Sequence, residues 1–125
     1  MIIVNSLAPV YKKENGLYVL DIDSIEVPFV VKEKSLVYFP PGELGGNHRH
    51  PRQEAFVGIG ENLQFIWVEN GETHNLEMNP DHQLQLIVVP ANLEHAVFNR
   101  SKNQMAILLE FADGVQENVE TVKIV

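Results

Sequence analysis

The stretch GELGGNHRHPRQE carries two histidines and a glutamate at a spacing that suits metal or acid–base chemistry. His48 and His50 are one residue apart, and Glu54 follows four positions after His50. On a β-strand, residues i and i+2 face the same side, so the two imidazoles would project together with Arg49 on the opposite face. Pro51 interrupts backbone pairing, which lets a new strand begin at Glu54. Two imidazoles and a carboxylate on one wall predict part of a divalent metal site.

Three further histidines are candidates for completing that site. His95 follows the turn-forming segment VVPANLE and opens the apolar run HAVFN, so an interior position is predicted for it. His74 lies just past the Asn-Gly turn signal, and His82 lies in the polar run NPDH. Both are predicted to be exposed turn residues without a role in the site.

Other interpretations of the same residues stay open at this level. The His48-x-His50 pair beside three glycines also fits a polar loop, and Glu54 also fits an ion pair with Arg52 or Arg49. Asn99 is predicted to tie a turn through side-chain hydrogen bonds. Most aromatic residues are predicted to be core, and two that alternate on one strand face are the better candidates for a pocket wall, namely Phe65 and Trp67.

Short strands must position these side chains, because the chain lacks a long amphipathic helix pattern. Segments rich in β-branched and aromatic residues alternate with Gly, Pro and Asn turn signals, which is typical of an antiparallel barrel or sandwich. The predicted strands are 16–22, 34–39, 54–59, 63–69, 83–89, 95–99 and 104–111, with a possible last strand in 116–125. Asn70-Gly71 predicts a type I′ hairpin turn.

Composition excludes several classes of protein. The chain has 125 residues, a formal net charge of -8 and no cysteine, so we expect one domain over 1–125 without disulfides or thiolate metal sites. Nucleic-acid binders need a basic face, and anionic membranes attract basic segments, so neither partner is expected. A basic start followed by a long apolar run is missing from the N-terminus, which predicts a cytoplasmic protein.

Both His-containing stretches resemble the motifs of the cupin superfamily, over about residues 34–111. The first motif is Gly, five residues, His-x-His, three or four residues and Glu, which here is Gly42, His48, His50 and Glu54. The second is Pro-x-Gly, two residues, His, three residues and Asn, which here reads Pro90-Ala91-Asn92, His95 and Asn99. Asn92 stands in place of glycine, and Asn tolerates positive φ.

The resemblance implies an all-β fold, a double-stranded β-helix of the jelly-roll type. It also implies that His48, His50, Glu54 and His95 converge on one divalent metal ion, which in cupins is zinc, iron, manganese or nickel. Cupins often dimerise through N-terminal strands, so a homodimer is expected in which MIIVNSL packs on a partner chain.

The stretch GGNHRHPRQEAFVGIGENLQF is also similar to cupin domains of surface-polysaccharide and nucleotide-sugar biosynthesis. These include the C-terminal domain of capsular polysaccharide reductases and the sugar 3,4-ketoisomerases. The resemblance implies an isomerase or epimerase acting beside the carbonyl of a sugar or nucleotide-sugar, with His48 or His50 as the catalytic base. The alternatives are an iron-dependent oxygenase using the same ligands, and a non-catalytic cupin for small-ligand binding or assembly.

Overall fold

The fold consists almost entirely of antiparallel β-strands, in a computed structural model that describes all 125 residues. Two short 3₁₀ turns, Ile22–Ser24 and Pro80–His82, are its helical elements, and no helix is long and apolar enough to cross a membrane. The strands are β1 (Ile3–Leu7), β2 (Tyr11–Lys12), β3 (Tyr18–Val19), β4 (Glu33–Phe39), β5 (Leu44–Arg49), β6 (Glu54–Ile59), β7 (Leu63–Glu69), β8 (Glu72–Glu77), β9 (Leu84–Val89), β10 (His95–Asn99), β11 (Ala106–Ala112) and β12 (Glu120–Thr121).

Two five-stranded sheets form the barrel. One has the strand order β1-β9-β6-β11-β4, the other β12-β5-β10-β7-β8, and β2 and β3 form a separate hairpin. Apart from the β7–β8 hairpin, neighbours in each sheet are not consecutive in the sequence, as in a jelly roll, where the chain alternates between the sheets. The prediction of an all-β jelly-roll barrel is therefore confirmed.

The alternation of side chains along each strand divides the apolar residues into two clusters. On β6, Phe56 joins the cluster between the two sheets, whereas its neighbours Ala55 and Val57 join a second cluster on the other face of the same sheet. The inner cluster takes residues from both sheets, such as Leu108 of β11 and Phe65 of β7. The segment before β4 covers the second cluster through residues such as Ile25.

Several predicted turns have the expected conformation. Asn70 and Gly71 both have positive φ (53° and 75°), as a type I′ turn requires, and Asn92 has φ 63°. The Asn99 side chain donates to the backbone carbonyls of Phe39, Pro40 and Gln104 and accepts from the Ser101 amide, which confirms its structural role.

Other predicted elements differ from the observed ones. Residues 16–22 form a strand only at Tyr18–Val19, because the segment packs over the outer face of a sheet instead of pairing within it. The N-terminal segment forms β1 and pairs with β9 of its own chain, and its packing on a partner chain stays a prediction. The second arm of the hairpin at Asn70-Gly71 continues as β8, which was not among the predicted strands, whereas the last strand predicted in 116–125 is present as β12 beside β5.

Candidate metal and catalytic site

Three elements bring His48, His50, Glu54 and His95 together. His48 lies on β5, His50 follows that strand directly, and Glu54 is the first residue of β6. His95 opens β10, which lies between β5 and β7 and pairs His95 with His48 on one side and Trp67 on the other. Glu54 of the first motif and His95 of the second are 41 residues apart in the sequence. The pairing of β10 with β5 brings the two motifs together.

A β-bulge between β5 and β10 aims the β5 side chains at the site. The register places His95 opposite His48 but Ala96 opposite Gly46, so Asn47 is the extra residue. Asn47 has φ 58° and Gly46 has φ 105°, and a Cβ on Gly46 would meet the Cα of Ala96 at 2.9 Å. Bulges are common beside functional sites, because they redirect the following side chains.

The four side chains form a compact and mostly buried cluster. One candidate ligand atom from each residue lies within 4.8 Å of all the others, so the group can hold a metal ion. Glu54 Oε1 lies 2.9 Å from His50 Nε2 and 3.1 Å from His95 Nε2. The ring centroids of the three histidines are 5.0 to 5.2 Å apart. His50, Glu54 and His95 are buried, and His48 is half-buried.

Backbone carbonyls fix the orientation of two of the imidazoles. His50 Nδ1 lies 3.1 Å from the carbonyl oxygen of Arg52, and His95 Nδ1 lies 2.7 Å from that of Leu93. A carbonyl accepts only, so each Nδ1 carries a proton and a neutral ring presents the Nε2 lone pair to Glu54. His50 Nε2 is buried without a hydrogen-bond partner, despite its short distance to the carboxylate. The Nε2 lone pairs of His50 and His95 therefore face the negatively charged Oε1 of Glu54. A cation bound among these three atoms would turn that unfavourable contact into a set of ligands.

Burial and neighbouring charges keep His48 neutral and Glu54 ionised. Burial, with the nearby His95 and His50, lowers the pKa of His48 from 6.5 to about 4. Burial would raise the pKa of Glu54, but the His50 and His95 imidazoles within 3.1 Å of its Oε1 outweigh burial and hold that pKa below its usual range. Metal ligands must be neutral imidazoles and ionised carboxylates, so these protonation states suit ligation.

Arg52 forms an ion pair with Glu54 next to the site. Its Nε and Nη2 donate to Glu54 Oε2 at 3.0 and 2.8 Å. The ion pair and the histidine cluster were alternative interpretations of Glu54 in the sequence, and the structure contains both, one on each carboxylate oxygen. Glu110 is a second carboxylate that contacts Arg52. Burial and the proximity of Glu54 raise the pKa of Glu110 to about 8.

A cavity of about 170 Å³ opens beside the cluster. Its wall includes His48, Glu54 and His95, whereas the buried His50 does not border it. The remaining lining is a mixture of apolar and polar residues, namely Val37, Phe39, Gly45, Gly46, Arg52, Phe56, Val97, Leu108, Glu110 and Gln116. Gln116 belongs to the C-terminal tail, whose β12 pairs with the end of β5 that carries His48.

Several predictions about the pocket and the other histidines were wrong. Phe65 and Trp67 do not line the cavity; Phe65 stacks on His95 from the core side, with ring centroids 5.9 Å apart. His74 is not a turn residue, because it lies on β8 and stacks on Trp67. His82 is exposed at a turn, as predicted.

Sequence reasoning missed two acidic residues beside the site, Glu33 and Glu110. Glu110 shares a face of β11 with the buried core residues Ala106 and Leu108. This could have been noticed in the sequence, since Glu110 falls at an inward-facing position of an otherwise apolar strand. Charged residues are rarely buried without a partner, so such a position indicates a buried polar site. Glu33 is the first residue of β4, and the β4 residues that share its face are of mixed polarity, so its position gives no comparable signal.

Comparisons with known proteins support the fold but do not establish a closer relationship. The sequence matches no protein-family model and no curated protein. Among solved structures, QdtA, a sugar 3,4-ketoisomerase from Thermoanaerobacterium thermosaccharolyticum in complex with TDP, aligns with a TM-score of 0.71 at 13% sequence identity. That alignment covers 95% of this chain and 86% of QdtA.

Two further structures show the same fold. WlaRA, the TDP-fucose-3,4-ketoisomerase from Campylobacter jejuni, aligns with a TM-score of 0.68 at 15% identity, over 93% of this chain and 84% of that chain. CapF, a capsular polysaccharide assembling protein from Staphylococcus aureus, aligns with a TM-score of 0.64 at 17% identity, over 80% of this chain and 29% of CapF. The chain thus spans less than a third of the length of CapF. These likenesses confirm the cupin fold expected from the two sequence motifs.

Proposed function

We propose that this protein is a metal-binding cupin that acts on a small carbonyl compound of the sugar class. The observation that carries the proposal is the orientation of His50 and His95, whose Nδ1 atoms face backbone carbonyls and whose Nε2 atoms face Glu54 Oε1. A divalent cation among these atoms would satisfy the unpartnered Nε2 of His50 and offset the buried carboxylate.

The residues proposed as ligands are His48, His50, Glu54 and His95. Three imidazole nitrogens and one carboxylate oxygen suit zinc, iron or nickel, and the carboxylate also admits manganese. When bound, such an ion would supply a Lewis acid that polarises a carbonyl oxygen. His48, Glu54 and His95 line the cavity, so a ligand there would have access to the ion.

The size of the cavity and the structural neighbours support a sugar-class ligand. A cavity of about 170 Å³ is smaller than the roughly 300–1,000 Å³ typical of drug-sized ligand sites. It suits a single ring or part of one, so a nucleotide-sugar would keep its nucleotide outside. QdtA has been solved with TDP and a QdtA mutant with TDP-4-keto-6-deoxyglucose, which makes keto-sugars the first compounds to test.

The proposed reaction is proton transfer beside a carbonyl, as in an isomerase or epimerase. His48 is the better candidate for the base, because it lines the cavity, whereas His50 is 2% exposed and does not border it. One nitrogen cannot bind a metal and accept a proton at the same time. His48 therefore serves as the base only in a metal-free form of the reaction. In the metal-dependent form it would be a ligand, and the proton would pass to solvent in the cavity.

Proton exchange with solvent tests the proposed reaction. Protein loaded with each candidate metal would be incubated with keto-sugars, free and nucleotide-linked, in D₂O, and deuterium incorporation beside the carbonyl would be followed by NMR. We expect exchange that EDTA and Glu54→Gln abolish. Exchange that survives EDTA but not His48→Asn would instead support the metal-free form.

His82→Asn is the matched control, because His82 is exposed and remote from the cluster in the sequence. It should exchange protons at the wild-type rate. Metal binding with no exchange on any compound would contradict the isomerase proposal and favour a non-catalytic cupin. The one-domain organisation over 1–125, the homodimer and the cytoplasmic location stay predictions.

A further inference from the structure

Arg52 occupies an unusual position for a buried cation, between the two motif residues His50 and Glu54. It lies in the link from β5 to β6 and is 8% exposed. A guanidinium beside a proposed cation site would be unfavourable unless its charge and its donors were fully taken up by other groups. The contacts of Arg52 therefore indicate whether it serves the ligand, the metal or the protein.

All five N–H donors of the guanidinium have acceptors within the protein. Nε and one Nη2 hydrogen reach Glu54 Oε2 at 3.0 and 2.8 Å, and the other Nη2 hydrogen reaches Glu110 at 2.5 Å. Nη1 reaches Glu33 at 3.1 Å and the carbonyl oxygen of Gly114 at 3.2 Å. An arginine has five N–H donors, so none is left for a substrate or for an anion.

These contacts divide the two oxygens of Glu54 between two tasks. Oε2 takes both hydrogen bonds from Arg52, and Oε1 faces the Nε2 atoms of His50 and His95. Rotation of the carboxylate would break both bonds to the guanidinium, which is itself fixed from β4, β11 and the tail through Glu33, Glu110 and Gly114. Charge-assisted bonds from a planar fork are the strongest and most directional of the side-chain hydrogen bonds.

We propose that Arg52 is a positioning residue that makes Glu54 a ligand through one oxygen only, Oε1. This inference rests on the proposed metal site and adds the reason why the glutamate presents a single oxygen beside three histidines. Residues that orient metal ligands typically change metal affinity 10–100-fold when they are mutated. Arg52 would act through Glu54 and, although it borders the cavity, has no N–H donor left for any other ligand of the metal or for the substrate.

Arg52→Lys is the direct test, because lysine keeps the charge but lacks the planar fork. The matched control is Arg49→Lys, since Arg49 also pairs with two glutamates, Glu94 and Glu120, but on the exposed side of β5. Cobalt(II) and zinc affinities would be measured by chelator competition, together with the visible absorption spectrum of the cobalt protein. We expect a 10–100-fold loss of affinity and a changed cobalt spectrum in Arg52→Lys, and less than a twofold change in Arg49→Lys.

Glu33→Gln keeps the inference testable if Arg52→Lys fails to fold. It weakens one of the five contacts at a partly exposed side chain, so we expect a folded protein with a loss of about two- to fivefold in metal affinity.

Melting temperatures in EDTA distinguish a positioning role of Arg52 from a structural one. If Arg52 were merely structural, Arg52→Lys would lower the melting temperature without changing the cobalt spectrum of the folded protein. That result, or wild-type affinity in Arg52→Lys, would overturn the inference while leaving the metal site intact. Wild-type protein that binds no metal would overturn the proposed function and this inference together.

Discussion

The barrel interior has two parts with opposite chemistry. One part is the apolar cluster, with fully buried residues such as Phe65, Met78 and Ile87, whose burial stabilises the fold. The other is the polar cluster around Glu54 and Arg52, which buries charged groups at a cost in stability. The difference indicates that the apolar part maintains the barrel, whereas the polar part costs stability that the proposed metal binding would explain.

Phe65→Ala should have the largest effect on stability, because Phe65 lies where the two parts meet. The ring is fully buried and packs against Phe56, Trp67 and His95. Truncating a buried phenylalanine leaves a cavity and costs about 3–5 kcal/mol. Urea unfolding of the metal-free protein measures this, and a loss below about 1 kcal/mol would show that the apolar part does not dominate stability.

Gly46→Ala should have an intermediate effect that reaches both parts. The glycine has φ 105°, and the new Cβ would lie 2.9 Å from the backbone of Ala96. We expect about 2–3 kcal/mol of destabilisation from strain and displacement, with weaker metal binding because β5 and β10 would separate beside His48 and His95. Gly114→Ala is the control, since nothing lies within 4 Å of its new Cβ, and equal losses in the two variants would contradict the close packing of β5 on β10.

The smallest expected effect is the pH dependence contributed by His48. Its pKa is about 4 in the folded protein and 6.5 ordinarily, so the unfolded chain binds more protons between these values. Stability therefore rises as the pH increases from about 4 to 6.5 and gains little above that range. Between pH 5.5 and 7.5 in EDTA, the wild type should gain about 1 kcal/mol more than His48→Asn, after allowance for solvent screening at this half-buried side chain. Identical pH profiles in urea unfolding would show that His48 is not held neutral.

The sequence predicted the barrel and the membership of the cluster, because both depend on local patterns. Alternation identified most strands, and the spacing of His48, His50, Glu54 and His95 follows motif positions that the bulged pairing of β5 with β10 brings together. The burial of Arg52 was not predictable, because its partners Glu33 and Glu110 come from β4 and β11. Phe65 and Trp67 were wrongly predicted to line the cavity for a different reason: alternation identifies a shared face but does not indicate which inward residues border the empty space.

Metal analysis of protein purified without a metal-affinity tag tests the central claim most directly. Wild type, a His48→Ala/His95→Ala double mutant and a His74→Ala/His82→Ala control would be compared by elemental analysis, as purified and after incubation with zinc, iron, manganese and nickel. The account predicts close to one divalent ion per chain in the wild type and the control, and none in the His48/His95 double mutant. A wild type without bound metal under all these conditions, or equal metal in all three proteins, would contradict it.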